Sequence, residues 1–139
     1  MDNTVNTGWN DVGKLILRCT VAGLMLFHGI AKMKNGIGWM AGMLAEHHLP
    51  FALGYGVYVA EVLAPILIII GVFTRLAALT IVFDMFMAIV LTKMAKLFTV
   101  NMGGGWVAEI EAFYALAALA VFFLGAGRFS ARGGAARWD

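Results

Sequence analysis

Long apolar runs, separated by short polar and glycine-rich breaks, make up most of this 139-residue chain. They cover 15–33, 51–73, 76–92 and 106–124, and predict four helices at about 13–33, 51–73, 75–97 and 106–124. A hydrocarbon core about 30 Å thick is crossed by about 20 helical residues at 1.5 Å rise, so each run is sized for a bilayer. Between the first two, Gly36, Gly38 and Gly42 are interleaved with Trp39, Met40, Met43 and Leu44, the pattern of a short interfacial or re-entrant piece. Asn10-Asp11 offers an N-cap for the first helix and Pro50 suits the opening turn of the second. The stretch Gly71-Val72-Phe73-Thr74-Arg75 is short enough to make helices two and three antiparallel neighbours. Gly103-Gly104-Gly105 breaks the chain before helix four, and Gly125-Ala126-Gly127 stops it. The expected fold is all-α, an integral membrane four-helix bundle with short loops, one domain over 1–139.

Composition sharpens this picture. The chain is 62% hydrophobic and 13% charged, against about 25% charged in soluble domains, and its mean hydropathy is +0.87. Its net charge of +2 is too mild and too dispersed for nucleic-acid binding. Its single cysteine, Cys19, excludes an intrachain disulfide, a CxxC redox pair and a cysteine metal cluster. Because Asp2 and Asp11 precede the first cation, Lys14, the first helix reads as a retained signal-anchor rather than a cleaved signal peptide. The basic residues split six to four between the two ends. Lys14, Arg18, Arg75, Arg128, Arg132 and Arg137 lie at the end carrying both termini; Lys32, Lys34, Lys93 and Lys96 lie at the other. Under the positive-inside rule this places both termini in the cytoplasm.

The candidate chemistry lies in the charges inside the runs. An ionised side chain at the centre of a membrane helix costs about 2.5–3.5 kcal/mol on insertion scales, so each one retained calls for a partner or a task. Helix one carries Arg18, His28 and Lys32 within one helical face, helix two carries Glu61, helix three Asp84, and helix four Glu109 and Glu111. Depth counted at 1.5 Å per residue suggests two levels: Arg18 coupled to Glu61 with Asp84 near the middle, and His28, Lys32 and Glu109 toward the far end. Glu109 and Glu111 are about 200° apart on a helix and cannot both point inward; Glu111 is expected at a loop or headgroup position, or flanking the site. Pro65, four residues after Glu61, frees the Glu61 carbonyl. That leaves either a polar notch near mid-membrane or an ordinary packing kink. A lone membrane histidine, with no second histidine nearby in sequence and no cysteine set, makes metal binding a weak reading, and no metal is expected.

Several short motifs occur in a fixed order: Phe27-His28-Gly29-x2-Lys32, Glu61 in mid-helix, Gly71-Val72-Phe73-Thr74-Arg75-Leu76-Ala77-Ala78, a glycine run ahead of Trp106 and Glu109, and Gly125-x-Gly127-Arg128-Phe129-Ser130. Together, over about residues 12–130, they resemble the DoxX family of small bacterial and archaeal four-helix membrane proteins. The resemblance implies a location in the bacterial or archaeal cytoplasmic (inner) membrane. It also implies a link to quinone redox chemistry, since the family is named for a subunit of an archaeal thiosulfate:quinone oxidoreductase. The family's polar positions fall on Arg18, His28, Lys32, Glu61, Arg75, Glu109 and Arg128, while Pro65 and Asp84 depart from its pattern.

The leading expectation is an oxidoreductase subunit that handles a quinone as substrate, has no covalently bound cofactor, and takes electrons from a soluble redox partner. His28, Lys32, Glu61 and Glu109 are its candidate proton donors and acceptors, with Arg18, Asp84, Arg75 and Arg128 as a structural ion network. Cys19 is not expected to carry redox work, because thiol–disulfide turnover needs a second sulfur. The alternatives are a non-catalytic scaffold for soluble partners, with the charges acting as interhelical glue, and a small-molecule or proton transporter, which would need a homo-oligomer to enclose a path.

Overall fold

The computed structural model describes residues 3–133 and 138–139; Asp2 and Arg137 lie outside the described residues. Helix α1 runs over Asn3–Asn35 and is followed by the short α2, Met40–Glu46. The second long rod, α3 over Phe51–Ile70, is composite. It opens as a 3-10 turn at Phe51–Tyr55, passes through an α turn at Gly56–Tyr58, widens into a π-helical turn at Val59–Leu63, and returns to α-helix over Ala64–Ile70. Then come α4, Thr74–Thr92, and α5, Glu109–Leu124. Among the described residues the only strand-like pairing is an isolated bridge between Val100 and Trp106.

The helices α1, α3, α4 and α5 form the bundle around Val21, Met25, Ile68, Ala78, Ile81 and Val121. Phe27, Phe83, Phe86, Phe113 and Phe123 point outward, as lipid-facing side chains do. Among the described residues, three helices are long and apolar enough to cross a membrane: Gly8–Asn35, Phe51–Ile70 and Thr74–Thr92. Helix α5 is shorter than the 106–124 expected. Its 16 residues make about 24 Å at 1.5 Å rise, because 106–108 stay in the preceding loop, and it packs chiefly along α4.

The helix ends follow local chemistry. Gly71 takes φ +80° to close α3, and Phe73, at φ +50°, turns the chain into α4. Asn10-Asp11 does not cap α1, which begins at Asn3. Asp11 is instead buried and faces the far end of the chain: its Oδ1 accepts from the Arg128 backbone N–H at 3.3 Å, and the Arg128 Nε lies 3.9 Å from its Oδ2. Residues at 11 and 128 therefore share one end of the bundle.

The π turn has an identifiable cause. Pro65 lacks the N–H that would close an α-helical bond to the Glu61 carbonyl, and a wider turn absorbs the defect. Helix α1 crosses this turn at Gly29. A Cβ there would fall on the Glu61 carbonyl oxygen and come within 2.7 Å of the Glu61 carbonyl carbon and of Val62 Cγ2. Gly29→Val is accordingly expected to cost about 1–3 kcal/mol by forced overpacking, read as a lowered melting temperature of the detergent-purified protein; an unchanged melting temperature would mean the two backbones are not in contact.

Candidate functional site

The widened turn carries Glu61 inward. Glu61 is only 3% exposed, and its Oε1 pairs with the Lys32 ammonium, which reaches across from α1. Tyr58, one turn earlier on α3, donates its hydroxyl to the Lys32 carbonyl at 3.3 Å and steadies the same stretch of α1. From α4, Asp84 lines the same cavity as Glu61 and Lys32. Glu61 Oε2 is buried and has no hydrogen-bond partner among the described residues. One ammonium and two carboxyls therefore border one space, with a buried acceptor left over for a donor that enters it.

Lys32, Glu61 and Asp84 form the polar side of a cavity of about 490 Å³ between α2, α3 and α4. Apart from Thr80 and Thr92 the remaining wall is apolar and includes Met43, Leu44, Leu53, Phe83, Met87 and Leu91. Helix α2, packed on the opening turn of α3, covers one side, so the interfacial piece expected at Trp39–Leu44 has become the roof of a chamber. A second cavity of about 200 Å³ lies on the other side of the Lys32–Glu61 pair. His28 lines it and meets the Tyr114 ring edge-on at 5.8 Å, and Glu111 reaches it from the first turn of α5.

The two levels expected from depth alone are rearranged. Arg18 does not meet Glu61. Its guanidinium is 2% exposed and donates to the carbonyls of Ala126, at 2.9 Å, and Phe129, beyond the end of α5. A cation there also complements the negative end of that helix. Lys32 takes the place beside Glu61 that had been given to Arg18. Glu109 does not join His28 and Lys32: it is exposed and lies against Gly105, whereas Glu111 turns inward and pairs with Lys93 at 3.7 Å. Arg75 donates through Nε to the Asp139 carbonyl at 3.2 Å, and Asp139 Oδ1 accepts from the Phe73 N–H at 2.9 Å, so Arg75 and Arg128 both work at the chain-end side, away from the cavities. Cys19 lines neither cavity.

Because Arg18 and Glu61 have separate partners, Arg18→Leu and Glu61→Leu are expected to destabilise independently, with effects that add within about 0.5 kcal/mol. Arg18→Leu alone should cost about 1–3 kcal/mol for each carbonyl stranded without a donor. Denaturation of the two single variants and the double variant checks this; rescue of one change by the other would restore the direct pair.

Sequence reasoning passed over Tyr114, and it named Glu111 and Trp39 without giving either a place in the site. Glu111 and Tyr114 are three residues apart and so share a helix face, a spacing that was available in the chain. Trp39, which borders both cavities, carried no such signal.

Three helices of bilayer length, aromatics turned outward and a buried ion pair beside an apolar chamber define a multi-pass membrane protein with an intramembrane polar site. The chain belongs to the DoxX family, whose model matches residues 13–94. That match spans Lys32, Glu61 and Asp84 and ends before Glu111 and the segment that holds Arg18. No curated protein matches the chain, and no solved structure does.

Proposed function

We propose that this protein is a quinone-linked redox subunit of a bacterial or archaeal cytoplasmic membrane, working with a soluble redox protein that supplies electrons. The observation that carries the reading is the chamber. Its volume of about 490 Å³ falls in the range of sites for small organic ligands. Its apolar wall suits a ring and a hydrocarbon tail, and Phe83, at once lining and exposed, gives it a side toward lipid. A scaffold of ion-paired helices would need no such space.

A bound quinone supplies two-electron, two-proton redox chemistry. The protein's part is to recognise carbonyl oxygens and to deliver protons. Lys32 offers N–H donors at the chamber wall, and its charge favours electron density building up on an oxygen nearby. Glu61 and Asp84 hold the proton that such an oxygen takes up. For each molecule reduced, the partner gives two electrons and the site passes on two protons. The distribution of basic residues supports a cytoplasmic side for both termini; an active periplasmic reporter fused to the C-terminus would reverse that orientation.

Trp39 at the chamber provides the test. Titrating the purified protein in nanodiscs with a short-chain benzoquinone is expected to quench its fluorescence, and Trp39→Phe to remove the saturable part of the quench. Fluorescence that shows no saturable component, or a saturable quench that survives Trp39→Phe, would sink the assignment.

A further inference from the structure

The two cavities share Lys32, Trp39, Glu61, Ala88 and Thr92 but differ in the other side chains around them, and that difference suggests a division of labour. Asp84 faces the larger space, while its chain neighbour Met85 faces the smaller. Beyond the shared residues, the larger space adds Asp84 and Thr80 to an otherwise apolar wall. His28, Glu111 and Tyr114 border only the smaller. A water occupies about 30 Å³ and needs two to four polar partners to stay, so about 200 Å³ lined by these three side chains together with Lys32, Glu61 and Thr92 has room and partners for several.

We propose that the smaller cavity is a hydrated proton-access chamber, through which Glu111 connects the water at the loop end of the bundle to the Glu61 carboxyl. Its position supports this. Glu111 stands in the first turn of α5, paired with Lys93 just beyond the end of α4, and both side chains are partly exposed. The charged mouth is therefore in reach of solvent, and Glu61 closes the inner end. The larger chamber has no ionisable side chain besides Lys32, Glu61 and Asp84, so no acid at its rim matches Glu111. Protons then enter from the loop side, pass by water from Glu111 to Glu61, and move on through Asp84 to the ligand in the larger chamber. One proton enters from water for each proton handed on, and no electron travels this path. Glu109 takes no part.

The inference rests on the quinone reading for the fate of the proton, and its test does not. In a Cys19→Ala background, a small charged methanethiosulfonate added to nanodiscs is expected to modify Met85→Cys and to leave Met87→Cys, on the wall of the larger chamber, unmodified. Equal reaction at both, or a Met85→Cys thiol that reacts only after unfolding, overturns the hydrated chamber. A second measurement needs no change in the core: the infrared carboxyl bands of Glu61 and Asp84, assigned with Glu61→Gln and Asp84→Asn, are followed after a jump into heavy water. Glu111→Gln should slow their exchange at least about tenfold, and an unchanged rate rules out Glu111 as the entry group. If both results hold while benzoquinone gives no saturable quench, the proton chamber stands and the quinone assignment falls alone.

Discussion

Lys32→Met is expected to destabilise the fold by about 3–5 kcal/mol, and adding Glu61→Leu to recover most of that loss. Glu61 is 3% exposed, and its charge is compensated by the Lys32 ammonium. With the ammonium gone, an ionised Glu61 would sit in low dielectric on the same cavity as a second carboxyl, that of Asp84. Removing both charges leaves two apolar side chains of similar reach, the replacement that buried ion pairs tolerate best. Denaturation of the single and double variants in detergent gives the coupling energy. A double variant as unstable as the sum of its parts would mean that Lys32 and Glu61 do not compensate one another. The double variant should also be inactive, which separates the stabilising role of the pair from its chemical one.

Gly56→Phe is expected to abolish benzoquinone binding without unfolding the protein. Gly56 lines the larger chamber in ordinary right-handed helical backbone, and a Cβ on it would meet nothing within 4 Å. A phenyl ring there fills space that the ligand needs and removes no existing contact. The outcome to look for is at least about a hundredfold loss of affinity, the scale on which a blocked pocket differs from a weakened contact, at an unchanged melting temperature. Undiminished quench in the folded variant would place the ligand elsewhere.

How far the chain disclosed this arrangement depended on the kind of information each feature requires. Helix stops at Gly71 and Gly125 were legible because they follow from backbone conformations that glycine adopts at little cost. The defect at Pro65 was legible for a similar reason, since a missing N–H is a local fact. The partner of Arg18 was not. Counting depth along straight rods set Arg18 across from Glu61, but the guanidinium reaches carbonyls more than a hundred residues away in sequence, in a segment that looked like a mere tail. The choice between Glu109 and Glu111 had the same origin. Their spacing showed that only one could face inward, and which one depends on how α5 is turned against α4. Asp84, set apart as a departure from the family's pattern, stands in the chamber with Glu61, because the π turn carries Glu61 inward toward α4.

The close crossing of Gly29 over the π turn has a mechanical corollary. The contact at Gly29 ties α1 to α3, and the grip of Arg18 ties α1 to the segment after α5. Both ties run through α1, so a change in its tilt is felt at the widened turn and at the chain ends together. The seven-residue α2, which borders the chamber, carries neither tie. Under the quinone reading, α2 is therefore the wall of the chamber that can yield to a ligand while α1 keeps its place.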